Sequence, residues 1–213
     1  MNLQRARDRR AANIILFPFL LCAVLVLGAC SDTPQLARLG SEAVILSFGD
    51  SMTSGTGAKK PDSYPSILSG LTGRTVINAG IAGEVSADGL KRLPALLEEH
   101  QPALLILCHG GNDILRKGDL NRMGANVRAM IQLAQERNIP VVLLGVPQPA
   151  IFPSSAAIYR EIADTTDVIF IEDIISDVLR DKSLKSDAVH PNHLGYRRIA
   201  EEIYAILQDA GAI

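Results

Sequence analysis

Five short apolar runs divide the chain: AVILSF (43–48), RTVINAG (74–80), ALLILCHG (103–110), PVVLLGV (140–146) and DVIFIE (167–172). Their apolarity is continuous rather than alternating, as strands covered on both faces require. Between and after them lie three sets of apolar residues spaced by three and four. These are Leu90, Leu93, Leu96 and Leu97; then Leu120, Met123, Val127, Met130 and Ala134; and finally Tyr196, Ile199, Ile203, Ile206 and Leu207. That spacing puts each set on one face of a helix. Strands alternating with helices predict an α/β fold of three layers, a doubly wound parallel sheet with helices on both sides. Ligands of such sheets bind at the carboxyl ends of the strands, so the functional residues should follow strands directly.

The chain has 213 residues, enough for one well-buried domain. Its first ten residues, MNLQRARDRR, carry four arginines and precede an uncharged apolar stretch, AANIILFPFLLCAVLVLGA. This is the layout of a secretory signal, and the stretch is also just long enough for an uncleaved membrane-spanning anchor. LGAC at 27–30 resembles the lipobox of bacterial lipoproteins. The resemblance implies a signal peptide over 1–29, lipidation of Cys30, a lipidated tether over 30–42, and a domain from 43 to 213. It places the protein in a bacterial cell envelope, attached to the membrane through the lipid. Ser31 implies the periplasmic face of the outer membrane if the source is Gram-negative.

Without residues 1–29 the net charge moves from −2 to −5, because four arginines and Asp8 leave. A mildly acidic domain without a basic stripe argues against a nucleic-acid partner. Cys22 leaves with the signal and Cys30 is the lipid site, so Cys108 has no partner for an internal disulfide.

Four polar motifs follow the strands: GDSMTSG (49–55), NAGIAGE (78–84), GGND (110–113) and DAVHP (187–191). Separately, each reads as a turn or a helix cap. Together they offer a serine nucleophile, a histidine base, a carboxylate to orient the histidine, and donors for an oxyanion, which are the parts acyl transfer needs.

The set Ser51, Gly83, Asn112 and His190 within these motifs resembles the SGNH (GDSL-type) hydrolases. GLKRLPALLEEHQP (89–102), leading into GGND, is similar to the bacterial thioesterase, lysophospholipase and arylesterase branch of that family. The resemblance implies a five-stranded sheet in flavodoxin-like order and a serine esterase without metal or cofactor. It further implies Ser51 as nucleophile, His190 as general base and Asp187 as its orienting carboxylate. The Ser51 and Gly83 amides and the Asn112 side chain are the implied oxyanion donors. Met52 stands where the family usually has Leu, and Glu84 where close members have Asp. The connection GVPQPAIFPSSAAIYREI (145–162) matches least, so substrate preference transfers least.

His193 has His190, not an acid, three residues before it and lacks the partner a base of this type needs. His100 falls at an expected helix end, and His109 beside Cys108 is expected to be no reactive pair. Two other classes remain. SMTSGTG (51–57) also suits the phosphate loop of a flavodoxin-like cofactor-binding protein, although the chain lacks Trp and that reading leaves DAVHP unexplained. The same fold could also serve as a non-catalytic lipid-anchored binding module. The expected function is hydrolysis of short or medium acyl, aryl or lysophospholipid esters, or thioesters, in a shallow crevice. Oligomeric state is not legible.

Overall fold

A computed structural model of the chain describes residues 35–148 and 154–213. The expected signal segment 1–29 and the lipid site Cys30 lie outside the described residues. Strands β1 (Val44–Gly49), β2 (Thr75–Gly80), β3 (Leu104–Cys108), β4 (Val141–Leu144) and β5 (Ile169–Ile171) form one parallel sheet in the order β2-β1-β3-β4-β5. This is the expected flavodoxin-like doubly wound α/β sheet.

The helices are α1 (Ser51–Ser54), α2 (Tyr64–Thr72), α3 (Ser86–His100), α4 (Gly111–Leu115), α5 (Leu120–Gln135), α6 (Ala157–Ala163), α7 (Ile174–Arg180) and α8 (His193–Asp209). Three of them, α3, α5 and α8, follow from the apolar spacing. Leu93 and Leu97 of α3, Met123, Val127, Met130 and Ala134 of α5, and Tyr196, Ile199, Ile203 and Leu207 of α8 are buried, each set on one face. Strands β3 and β4 are buried at every residue, whereas edge strand β2 is only partly covered. Each fully buried aliphatic side chain contributes on the order of 1.5–3 kcal/mol.

Helix α2 packs with α8, and α3 with α5. Right-handed crossovers put α2 on one face and α3 and α5 on the other, because the chain leaves β1 toward β2 and then crosses back to β3. The switch point therefore lies at the carboxyl ends of β1 and β3, where a crevice opens.

Residues 36–39, within the expected tether, are hydrogen-bonded to the C-terminal end of the domain. Leu36 and Leu39 donate their N–H groups to the carbonyls of Ala210 and Ala212, both at 2.8 Å. Leu39 is buried, and that burial is what draws the segment onto the C-terminal end of the fold.

Candidate active site

Strand β1 ends at Gly49, and a side chain there would meet the Cys108 carbonyl oxygen at 2.0 Å. Only glycine lets β1 and β3 run together at this point. GDSMTSG is more than a turn, since Ser51 opens the one-turn helix α1. Asp50 caps it, with Oδ1 accepting the Met52 N–H at 3.2 Å, while Oδ2 accepts the Gly111 N–H at 3.2 Å. One buried carboxylate thus ties the first motif to the third. Burial pushes the Asp50 carboxyl above its usual range, against the pull of His109 and of the two backbone donors.

DAVHP folds back on itself just before α8. Asp187 Oδ1 accepts the N–H groups of Val189 and His190 at 2.8 and 2.9 Å. The His190 ring then meets Asp187 through Nδ1, 2.9 Å from Oδ2, and Ser51 through Nε2, 3.0 Å from Oγ. A carboxylate only accepts, so Nδ1 carries the hydrogen, and Nε2 presents a lone pair to the Ser51 hydroxyl. Desolvation pushes Asp187 up, but the Val189 amide and the His190 ring outweigh it and hold the carboxyl below its usual range.

The second and third motifs are joined by side chains. Gly83 has φ of 81°, in the left-handed region, within the turn after β2. Its carbonyl accepts from Arg116 Nη2 at 2.9 Å, and the next carbonyl, of Glu84, accepts from Asn112 Nδ2 at 3.0 Å. Asp113 accepts from both the N–H and the hydroxyl of Ser86, each at 2.8 Å, and so anchors the start of α3.

The sequence profile of the GDSL-like lipase/acylhydrolase family matches residues 47–198. The chain belongs to this family. The Escherichia coli protein named thioesterase 1/protease 1/lysophospholipase L1 is 30% identical to this GDSL hydrolase over 200 residues, covering 90% of this chain and 91% of that protein. Esterase TesA of Pseudomonas aeruginosa is 28% identical over 196 residues, covering 86% and 97%. The crystal structure of the psychrotrophic esterase EstA from Pseudoalteromonas superposes with a TM-score of 0.71 over 79% of this chain and 98% of its own, at 24% identity, and shares the fold.

In this GDSL hydrolase Ser51, Asn112 and His190 open onto one groove of about 500 Å³. Met52, Leu115, Val146, Pro147 and Leu179 form its apolar wall, and Arg180, Lys182 and Lys185 its rim. The segment from Leu179 to Val189 supplies one side of the groove. Gly83 borders the groove through the Asn112 bond to Glu84 rather than lining it.

The other histidines stand apart from the groove. His193 starts α8 beside Gly57, Lys59 and Asp62, and His100 ends α3. Cys108 is fully buried, and burial pushes its thiol up, so it is an inert core residue. Hydroxyls that a phosphate loop would aim outward are engaged within the fold: Thr53 Oγ1 pairs with the Tyr64 hydroxyl at 3.1 Å, and Ser54 Oγ donates to the Ser51 carbonyl at 3.1 Å. Among the described residues, no helix is long and apolar enough to cross a membrane, and no group of three or more His, Cys, Asp or Glu side chains is placed to hold a metal ion.

Proposed function

We propose that the protein is a serine ester hydrolase in which Ser51 attacks the carbonyl carbon of a carboxylic ester or thioester. The observation that carries this reading is the continuous hydrogen-bonded chain from Asp187 through His190 to Ser51 at the lip of an apolar groove. His190 Nε2 takes the Ser51 proton as the Oγ–carbon bond forms, then delivers it to the leaving alcohol or thiol as the acyl-serine is left behind. Water, deprotonated by the same nitrogen, attacks the acyl-serine, and the proton passes to Ser51 as the acid leaves. Asp187 keeps the required tautomer and stabilises the imidazolium.

The tetrahedral oxyanion is met by the Ser51 N–H, which has no helical partner at the first position of α1, and by the Gly83 N–H, which has no acceptor among the described residues. Asn112 completes the set, because one amide hydrogen is held by the Glu84 carbonyl and the second is left for the substrate. No resident metal or cofactor enters these steps.

The apolar wall suits an acyl chain, and the cationic rim suits an anionic group attached near the ester. A lysophospholipid combines the two, and the relative from Escherichia coli carries lysophospholipase in its name. We place the protein in the bacterial envelope, held by lipid on Cys30, on the strength of LGAC at 27–30. Incorporation of labelled palmitate in wild type but not in Cys30→Ala tests that placement.

Hydrolysis of p-nitrophenyl esters of increasing chain length, with Ser51→Ala and His190→Ala alongside, tests the chemistry. Activity lost in both folded variants supports it. Activity that survives Ser51→Ala overturns it.

A further inference from the structure

Glu84 follows Gly83 directly, yet its side chain points away from the groove and is only 8% exposed. Arg92 of α3 grips the carboxylate with two nitrogens, Nε at 2.9 Å from Oε1 and Nη2 at 2.7 Å from Oε2. The same Nη2 donates to the Ala79 carbonyl of β2 at 3.0 Å, and the guanidinium lies 4.3 Å over the Phe48 ring of β1.

The third contact comes from His109, at the end of β3 and fully buried, whose Nε2 is 3.1 Å from Glu84 Oε2. His109 Nδ1 accepts the Gly110 N–H at 2.9 Å, so Nδ1 bears no hydrogen and Nε2 must be the donor to Glu84. Space for this ring exists because residue 89 is glycine; a side chain there would come within 2.3 Å of Nε2. The Glu84 carboxylate thus fastens the turn after β2 to α3 and to the end of β3, and Arg92 extends the tie to β2 and β1.

None of these groups reaches the groove, but Glu84 acts there through its backbone. Its carbonyl holds Asn112 Nδ2, and its peptide nitrogen is joined to Gly83. We propose that Glu84 is the positioning residue of the oxyanion hole, fixing the Gly83 amide and the Asn112 amide relative to each other through the clamp formed by Arg92 and His109. This rests on the oxyanion roles proposed above for Gly83 and Asn112. Donors in such a site act by being held in place before charge develops, and misplacement by about 1 Å can cost about 10²-fold in rate. The clamp is thus a determinant of kcat more than of substrate binding.

The test is steady-state hydrolysis of p-nitrophenyl butyrate by the full-length protein and by Glu84→Ala, Asn112→Ala and their double variant, with folded fraction and Tm measured for each. Asn112→Ala should lower kcat by about 10²- to 10³-fold. Glu84→Ala should lower kcat by about 10- to 100-fold with KM within about 2-fold of wild type. In the Asn112→Ala background, Glu84→Ala should cost clearly less than it does alone, because part of its effect passes through that amide. A merely structural role would lower Tm and leave kcat per folded molecule unchanged; that result, or full additivity in the double variant, overturns the proposal while leaving the serine mechanism intact. Full activity in Asn112→Ala would instead remove the oxyanion assignment, and the proposal with it. Should Glu84→Ala fail to fold, His109→Leu and His109→Gln carry the same test. Gln can donate to Glu84 and should restore most of the kcat that Leu loses; equal kcat in the two overturns the proposal.

Discussion

His190 Nε2 and Ser51 Oγ lie 3.0 Å apart across 139 residues of sequence, one at the end of β1 and the other just before α8. The contact exists only in the folded chain, and in the proposed mechanism the two side chains act on the same proton. Ser51→Ala and His190→Ala should each lower kcat by roughly 10⁴- to 10⁶-fold, and the double variant should be no worse than either alone. Single-turnover assays on folded protein check this; additive losses would mean that the two residues act separately.

Asp187 should matter less. Its side chain is 53% exposed, so water can take over part of its role toward His190 Nδ1. Asp187→Ala should leave activity about 10²-fold above that of Ser51→Ala, the order seen when an orienting carboxylate rather than a nucleophile is removed. A loss equal to that of Ser51→Ala would show that the carboxylate is indispensable despite its exposure.

Asp50 is the carboxylate that holds motifs together. Asp50→Ala leaves the Met52 and Gly111 N–H groups without their acceptor, at about 1–3 kcal/mol for each group that stays buried. The expected result is a lower midpoint in urea together with a lower kcat, since Ser51 and Asn112 lose the tie between their loops. Unchanged stability would mean that water replaces the carboxylate.

The sheet could be read from sequence because strands covered on both faces must be continuously apolar, as Leu104–Cys108 and Val141–Leu144 are. The three longest helices were equally legible, their apolar residues recurring at spacings of three and four over about two to four turns. One-turn helices such as Ser51–Ser54 leave no periodic trace, and α2, with only nine residues and Pro65 in its first turn, left little. The residues of the first three motifs were visible as types at strand ends, whereas Asp187 and His190 lie beyond α7, just before α8. The partners of the motif residues were not visible: that Glu84 meets Arg92 and His109, or that Asp50 reaches Gly111, depends on how strand ends and helix starts converge in space. The rim of Arg180, Lys182 and Lys185 was hidden for another reason, since an acidic chain with scattered lysines shows no local charge run there.

Glu84 gives a pH dependence of stability. Burial pushes its carboxyl up, but the bonds from Arg92 and His109 outweigh it and leave it below the usual range. A carboxyl depressed in the folded state adds stability that is complete above its unfolded pKa and disappears as pH falls through the folded one. The Tm advantage of wild type over Glu84→Gln should therefore be largest near neutrality and shrink below the ordinary carboxylate range. Thermal melts of both proteins between about pH 3 and 7 decide it, and a pH-independent difference would place the stabilising effect in shape rather than charge.

The rim should read substrate charge. Lys185 Nζ is fixed by the Leu179 carbonyl at 2.9 Å, Lys182 is exposed, and both line the groove that Ser51 opens onto. Exposed charge contacts are worth roughly 0.2–1 kcal/mol each, so reversing both charges in Lys182→Glu/Lys185→Glu should lower kcat/KM by about 10-fold for an anionic lysophospholipid. A neutral monoacylglycerol of the same chain length should be nearly unaffected. Salt should narrow the wild-type preference between the two esters, because exposed charges are screened over about 10 Å at 0.1 M. If the variant keeps the wild-type ratio of the two substrates, the acyl wall alone selects them, and the cations serve only solubility.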